Sequence, residues 1–530
     1  MARILVADKI ADAGIDALKG AEGVEFDIRH GLSPDELAGI ISEYDGILIR
    51  SAVKITQATL VRPGKLSAIA RAGVGVDNVD LQAATEAGVL VLNTPDANTI
   101  STAEHTIAMI LALHRRIPDA HAHVRQGAWK RSSFQGEQVA GKCLGIAGFG
   151  RIGRAVATRA LALKMNVIAF DPFVSGEAAL DGAVRLVGSL EELLAEADCV
   201  TLHTALSEET RGLIGREQLA KMKASARLIN CARGALIDEA ALADALNEDR
   251  IAGAALDVYQ NEPPADSPIL SAKNVVLTPH LAASTAQAQR RVSIDAVEAL
   301  LAYVLRGEIR SAVNVAGLPR SLSAKSRAFV DLCGRMGTVL SAWAHEGVER
   351  VSVTVYGEQL GELAPTLSLQ ALASIVGPHL DGRLNLVNAK EQATRRGIAV
   401  EHVVRSIGED RPESIAVGIG IGDARHEIEG TVLTDRLPRI LSIDGYRMEI
   451  VPERCMALIF NDDKPGVIGL VGQMCGEAGI NIADMALSRR GDTALMVLKL
   501  DEPLPANLQK SLRALAPPIR SLSTVSLPPV

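Results

Sequence analysis

At about 150 residues per domain, a chain of 530 residues calls for three or four domains. Apolar residues make up 48% of it and aromatics only 3%, so its cores must be built from Ala, Val, Leu and Ile. A formal net charge of -8 argues against a nucleic-acid partner, and no run approaches the roughly 18 apolar residues of a membrane span. The six cysteines are dispersed, with no CxxC pair, which argues against structural zinc or disulfides and, with no signal-like apolar run at the start, predicts a cytoplasmic protein.

In chain order, residues 1 to about 97 alternate short apolar runs (3–7, 46–49, 68–70 and 89–92) with helical stretches, the pattern of an α/β unit on a parallel sheet. Ser101, Thr102, Ala103 and Glu104 read as a capping box ahead of Ile107, Ile110, Leu111 and Leu113, predicting a long helix that leaves this unit. A second α/β unit has strands at 143–147, 166–170, 199–202, 227–229, 254–256 and 275–277. A helical run over about 285–305 carries the chain back to the first unit. Beyond 317 two helical runs mix with alternating strands such as 351–355, and the last segment runs strand, Pro-Gly turn, helix, two strands, helix, strand. The expected fold is two Rossmann-like doubly wound parallel-sheet domains, the first discontinuous (1–98 with 286–317, and 99–285). An α+β domain (318–452) and a ferredoxin-like βαββαβ domain (453–530) follow.

The strand at 143–147 runs into Gly148, Phe149, Gly150, Arg151, Ile152 and Gly153. In such a loop the first glycine permits the turn, the second lets the backbone approach a pyrophosphate, and the third allows close helix packing. Arg151 and Ile152 open the helix whose N–H groups receive the anion. Asp171 ends the next strand, where a carboxylate accepts from ribose hydroxyls and repels the 2′-phosphate of NADP. This combination predicts NAD as cofactor. A Gly-rich turn beside a capping Asp is the plain alternative, and strand, loop, helix, strand and acid in order weigh against it.

Ligands of open α/β sheets bind beyond the carboxyl ends of the strands. Three strand ends there carry charged residues: Asn230, Cys231, Ala232 and Arg233; Asp257, then Glu262; and Thr278, Pro279 and His280. Oxidising a 2-hydroxy acid needs a base for the hydroxyl proton, which suits His280. Glu262 would orient that imidazole, and Arg233 would clamp a carboxylate with two parallel hydrogen bonds. Asp257 is placed to meet the nicotinamide amide. Cys231 reads as a small packed residue, and His203 with Thr204 as the adenine side of the crevice.

These motifs, with the run from Arg71 to Asp80, resemble the D-isomer-specific 2-hydroxy acid dehydrogenases, in their long form with additional domains. The resemblance implies His280 as acid/base, Glu262 as its partner and Arg233 as the substrate-carboxylate contact. It also implies cofactor contacts at Cys231, Ala232, Arg233, Asp257, His280, Ala282 and Ala283. Substrate contacts would come from Arg50, Ser51, Arg71, the Gly73-Val74-Gly75 turn and Arg131, the last from a neighbouring subunit of a homodimer or homotetramer. No metal is expected. The implied reaction is oxidation of 3-phospho-D-glycerate to 3-phosphohydroxypyruvate, opening L-serine synthesis. The alternatives are another D-2-hydroxy acid, including glyoxylate, lactate or 2-oxoglutarate chemistry, or a non-catalytic NAD sensor.

The C-terminal segment resembles an ACT domain, a small module that binds amino acids. The resemblance implies L-serine as effector, with Asp463 meeting the ammonium and Asn481 the carboxylate in a site shared by two subunits. Arg439 and Arg447 are candidates for a phosphate in the preceding domain, although solvated charges are the better expectation.

Overall fold

The computed structural model describes residues 1–174, 176, 178–315, 323–380, 383–407, 412–433, 437–515 and 517–529. Five strands, β1 (Ala2–Val6), β2 (Val24–Ile28), β3 (Gly46–Ile49), β4 (Ala68–Arg71) and β5 (Leu90–Leu92), form a parallel sheet in the order β2-β1-β3-β4-β5. The order reverses between β1 and β3, so a crevice opens beyond their carboxyl ends, where Asp8 and Arg50 stand. β2 has no counterpart among the sequence-derived strands. Glu25 and Asp27 interrupt its apolar residues, which an edge position tolerates.

The helix Thr99–Arg115 leads to the second sheet. It starts at Asn98, ahead of the expected capping box, and Ser101 sits inside it with its hydroxyl 2.7 Å from that of Thr285. The second sheet holds β6 (Cys143–Ala147), β7 (Asn166–Phe170), β8 (Ala178–Ala179), β9 (Val184–Leu186), β10 (Cys199–Leu202), β11 (Arg227–Asn230), β12 (Gly253–Leu256) and β13 (Val275–Leu277). Their order, β13-β12-β11-β10-β6-β7-β9-β8, is the doubly wound dinucleotide-binding arrangement extended at both edges. The switch point falls between β6 and β10.

The helix Ala286–Arg306 then returns to the first sheet. Val292, Ala296, Val297 and Leu300 share a core with Ile4, Val6, Leu48 and Leu90. The return is tight: a Cβ on Gly46 would lie 2.9 Å from Leu300 Cδ1. The expected boundary at 317/318 lies outside the described residues.

The third sheet, β14 (Arg350–Tyr356), β15 (Ala399–Arg405), β16 (Ser414–Ile421), β17 (Ala424–Val432), β18 (Pro438–Ile443) and β19 (Tyr446–Ile450), is ordered β15-β14-β16-β17-β18-β19. The fourth, β20 (Arg454–Asp462), β21 (Ile482–Arg490), β22 (Thr493–Leu500) and β23 (Ile519–Leu527), is antiparallel and ordered β21-β22-β20-β23. Strand alternation gives β20 two buried faces. Ala457 and Ile459 meet the fourth unit's own helices, while Met456 and Leu458 enter the core of the third unit. Arg335, 6% exposed, ties the two units by donating to the carbonyls of Pro452, Pro528 and Pro529. No described helix is long and apolar enough to cross a membrane.

Candidate active site

The glycine loop after β6 has a distinct reason for each glycine. Gly148 has φ +93, and a Cβ there would lie 2.6 Å from the His203 backbone. A Cβ on Gly153 would lie 2.3 Å from the Gly148 carbonyl oxygen, whereas one on Gly150 would meet nothing within 4 Å. Gly150 therefore faces open space, as close approach by a ligand requires. The helix Arg151–Ala162 begins without a capping side chain, which leaves its first N–H donors for an anion. The Arg151 guanidinium is 2.7 Å from Asp96, and Ile152 is half-buried. Asp171 accepts from the N–H of Phe149 and of Phe173, which fixes its carboxylate beside the loop. His203 Nε2 is 3.0 Å from Thr201 Oγ1 and its Nδ1 is buried without a partner. Burial pushes its pKa down to about 4, so the ring is neutral at pH 7. Thr204 donates to the Ala147 carbonyl. This donor-rich, glycine-lined cradle fits a dinucleotide.

A cavity of about 640 Å³ opens between the two parallel sheets and takes walls from both. From the second sheet come Arg233, Glu262 and His280. His280 Nδ1 is 2.8 Å from Glu262 Oε2, and the other carboxylate oxygen accepts from the Tyr259 N–H. The His280 backbone is left-handed, φ +55. It is held there by Asp257, 0% exposed, which accepts from Thr278 Oγ1 (2.6 Å), Leu281 N (2.7 Å) and Ala282 N (2.8 Å). Burial raises the Asp257 pKa, but the hydrogen bonds outweigh it and the net shift is downward. The Asp257 carboxylate, expected beside the nicotinamide amide, thus also braces the loop that carries His280. Ala282 is buried behind that loop, and Ala283 lines the cavity.

The arginine loop is shaped by Asn230, also 0% exposed, which accepts from Ala232 N and donates to the Arg233 carbonyl. Gly234 presses this loop on Tyr259; a Cβ would lie 1.9 Å from the Tyr259 carbonyl carbon. Cys231 is buried and its thiol is pushed up to about 12, chiefly by burial, which removes it as a nucleophile.

The first sheet supplies Arg50, Ser51, Arg71 and the turn from Gly73 to Gly75. Asp8 accepts from Arg50 N and Val53 N, and Asn78 donates to both carbonyls of the same residues, so this loop is clasped from two sides. Gly73 and Gly75 leave room for guanidinium groups: added Cβ atoms would lie 1.3 Å from Arg71 Nη1 and 1.8 Å from Arg233 Nη2. Burial, then repulsion from Arg233, pushes the Arg71 pKa down to about 10, and it stays charged at neutral pH.

Some expected residues do not converge. Arg131 is exposed in the short turn Arg131–Phe134 and does not line this cavity. Asp463 and Asn481 lie at opposite ends of the fourth sheet: Asp462 pairs with Thr493 at one end of β22, Ile482 with Leu500 at the other. Conversely, Lys54, Asp77, Asn98 and Gln289 line the cavity, and His105 bonds Asp257, none of which the sequence reading assigned. Asp77 and Lys54 neighbour residues it did single out; His105 gives no signal at all, sitting within an apolar helix.

A hydride-acceptor cradle facing an imidazole–carboxylate pair and a guanidinium defines a 2-hydroxyacid dehydrogenase. Residues 107–282 match the model of the D-isomer specific 2-hydroxyacid dehydrogenase, NAD binding domain. Residues 325–444 match the D-3-phosphoglycerate dehydrogenase intervening domain, and residues 456–517 the ACT domain. The chain is 40% identical over 532 residues to D-3-phosphoglycerate dehydrogenase of Synechocystis sp., covering 99% of this chain and 95% of the relative. It is 39% identical over 532 residues to that of Methanocaldococcus jannaschii, covering 99% and 100%. A solved glyoxylate reductase from Paecilomyes thermophila, 31% identical with a TM-score of 0.55, covers 59% of this chain and 98% of its own. The chain belongs to the D-3-phosphoglycerate dehydrogenase family, and it is an NAD-dependent oxidoreductase with a regulatory ACT domain.

Asp171→Ala is expected to lower the preference for NAD over NADP by at least about tenfold, because a 2′-phosphate no longer meets a like charge. The ratio of kcat/KM for the two dinucleotides measures it.

Proposed function

We propose that the chain oxidises 3-phospho-D-glycerate to 3-phosphohydroxypyruvate, the entry to L-serine synthesis. The observation that carries this reading is the charge balance of the cavity. Its two carboxylates are committed, Asp77 to Arg233 Nε at 3.1 Å and Glu262 to His280. Arg50, Lys54 and Arg71 have no carboxylate at ion-pair distance among the described residues; the Arg50 guanidinium donates to the Lys9 carbonyl. Three uncompensated cations suit a carboxylate plus a phosphate monoester, whose own charge at pH 7 is about -1.5 to -2. A glyoxylate or lactate site needs no second anion pocket.

On this reading, Arg50, Lys54 and Arg71 hold the phosphate. Arg233 and the Gly73–Gly75 backbone take the carboxylate. Bound NAD supplies the hydride acceptor. His280 gives its Nδ1 proton to the bond with Glu262, which leaves Nε2 free to remove the hydroxyl proton as C2 loses hydride. The imidazolium that results is stabilised by Glu262. Phosphohydroxypyruvate-dependent NADH oxidation is expected to fall about a hundredfold or more in His280→Ala, with NADH binding retained. A wild type without turnover contradicts the reading, as does a variant that keeps it.

Two further assignments belong to this reading. The helix Ile117–Arg125 buries none of its residues and Trp129 is 79% exposed, an uncovered apolar surface that supports a homodimer or homotetramer in which Arg131 reaches a partner's cavity. Free thiols throughout are consistent with the cytoplasm. The separation of Asp463 from Asn481 means that an L-serine site using both needs two ACT domains side by side. Millimolar serine is expected to slow turnover and raise the melting temperature; no effect on either removes the effector assignment.

A further inference from the structure

The loop that carries His280 leans on one buried carboxylate, and that carboxylate has a fourth side-chain or backbone donor from outside the loop. His105, on the helix Thr99–Arg115, places Nε2 3.2 Å from Asp257 Oδ1 and 3.3 Å from Thr278 Oγ1. The other donors to Asp257, namely Thr278, Leu281 and Ala282, flank His280 in sequence. The His280 N–H also returns to the Asp257 carbonyl at 2.9 Å. His105 is thus one contact by which the helix between the two parallel sheets grips this loop, beside Met109, whose sulfur is 3.8 Å from Thr278 Oγ1. The same helix bonds the far side of the loop region through Ser101 and Thr285, and Asn98 at its start lines the cavity.

We propose that His105 is a positioning residue for the reaction: by donating to Asp257 it sets the orientation of that carboxylate and hence the left-handed backbone that aims His280. The proposal rests on the reading of His280 as the base. The physical argument is saturation. A carboxylate with no access to water must satisfy its lone pairs from protein donors, and its orientation is the compromise among them. Three donors belong to the loop; one belongs to a helix whose Met109 and Ile110 are buried in the core of the second sheet. Removing the helix donor lets the Asp257 carboxylate reorient within its remaining contacts, and the loop bonded to it shifts with it. His280 Nε2 then loses its line to the substrate hydroxyl, while the glycine loop after β6, which among the described residues has no bond to His105 or Asp257, keeps its place. Misplacement of a reacting group by about 1 Å costs on the order of a hundredfold in rate.

The test uses the full-length protein. His105→Phe fills the ring volume without a donor; His105→Gln restores an N–H at similar reach. The expected result is a fall in kcat of about tenfold or more in His105→Phe, NADH affinity within about twofold of wild type, and recovery of most of the rate in His105→Gln. Hydrogen exchange, read on the same variants by mass spectrometry, should rise at the Leu281 and Ala282 amides in His105→Phe and not in β6. A wild-type kcat in His105→Phe overturns the proposal. So does loss of NADH affinity in step with rate, or exchange that rises equally in β6, since both mark general destabilisation. Failure of the base assignment gives a different result: His280→Ala then retains turnover whatever His105 does.

Discussion

Like charges do not gather in one cavity without a reason. Arg50, Lys54, Arg71 and Arg233 share one space, and the fold spends structural effort keeping them there. Glycine at positions 73 and 75 removes the Cβ atoms that would occupy the guanidinium positions. Burial, and after it repulsion from Arg233, pushes the Arg71 pKa down to about 10. The two nearby carboxylates are used elsewhere, Asp77 on the Nε edge of Arg233 and Glu262 on His280. The result is a positive cavity beside an imidazole–carboxylate couple. An anionic ligand relieves the repulsion, and the energy so released orients the reacting carbon against the base.

The scaffold accounts for how these groups meet. Each parallel sheet has its own switch point, and the helix Ala286–Arg306 locks the first sheet back onto the chain that left it. The two crevices then face each other, with cations from the first and the base, its partner and the carboxylate clamp from the second. Polar residues at zero exposure do the local shaping: Asn230 folds the arginine loop and Asp257 the histidine loop. The third and fourth units share a core, so a ligand on the ACT domain acts on a body larger than one domain.

Much of this was legible in the sequence, for physical reasons. Parallel strands buried on both faces are continuous apolar runs, which is why all six principal strands of the second sheet could be read. The charged residues at three strand ends were legible because open α/β sheets put their chemistry there. β2 was not, because an edge strand alternates with charges. The capping box at Ser101 was misread because Ser101 spends its hydroxyl on Thr285, a contact 184 residues away. The bracing of the His280 loop by Asp257 was not legible, because strand position says where a side chain starts and not which donors surround it. Asp463 and Asn481 were expected in a site shared by two subunits, and the antiparallel pairing with β22 puts them at opposite ends of the sheet within one chain.

The central claim is that the cation cluster reads a phosphate. The most direct measurement compares kcat/KM for phosphohydroxypyruvate and for hydroxypyruvate, the same keto acid without the phosphate, in NADH oxidation. The account predicts a preference of at least about a hundredfold for the phosphorylated acid, since the unphosphorylated one leaves the cations of the cavity unpaired. Equal values for the two acids would contradict it.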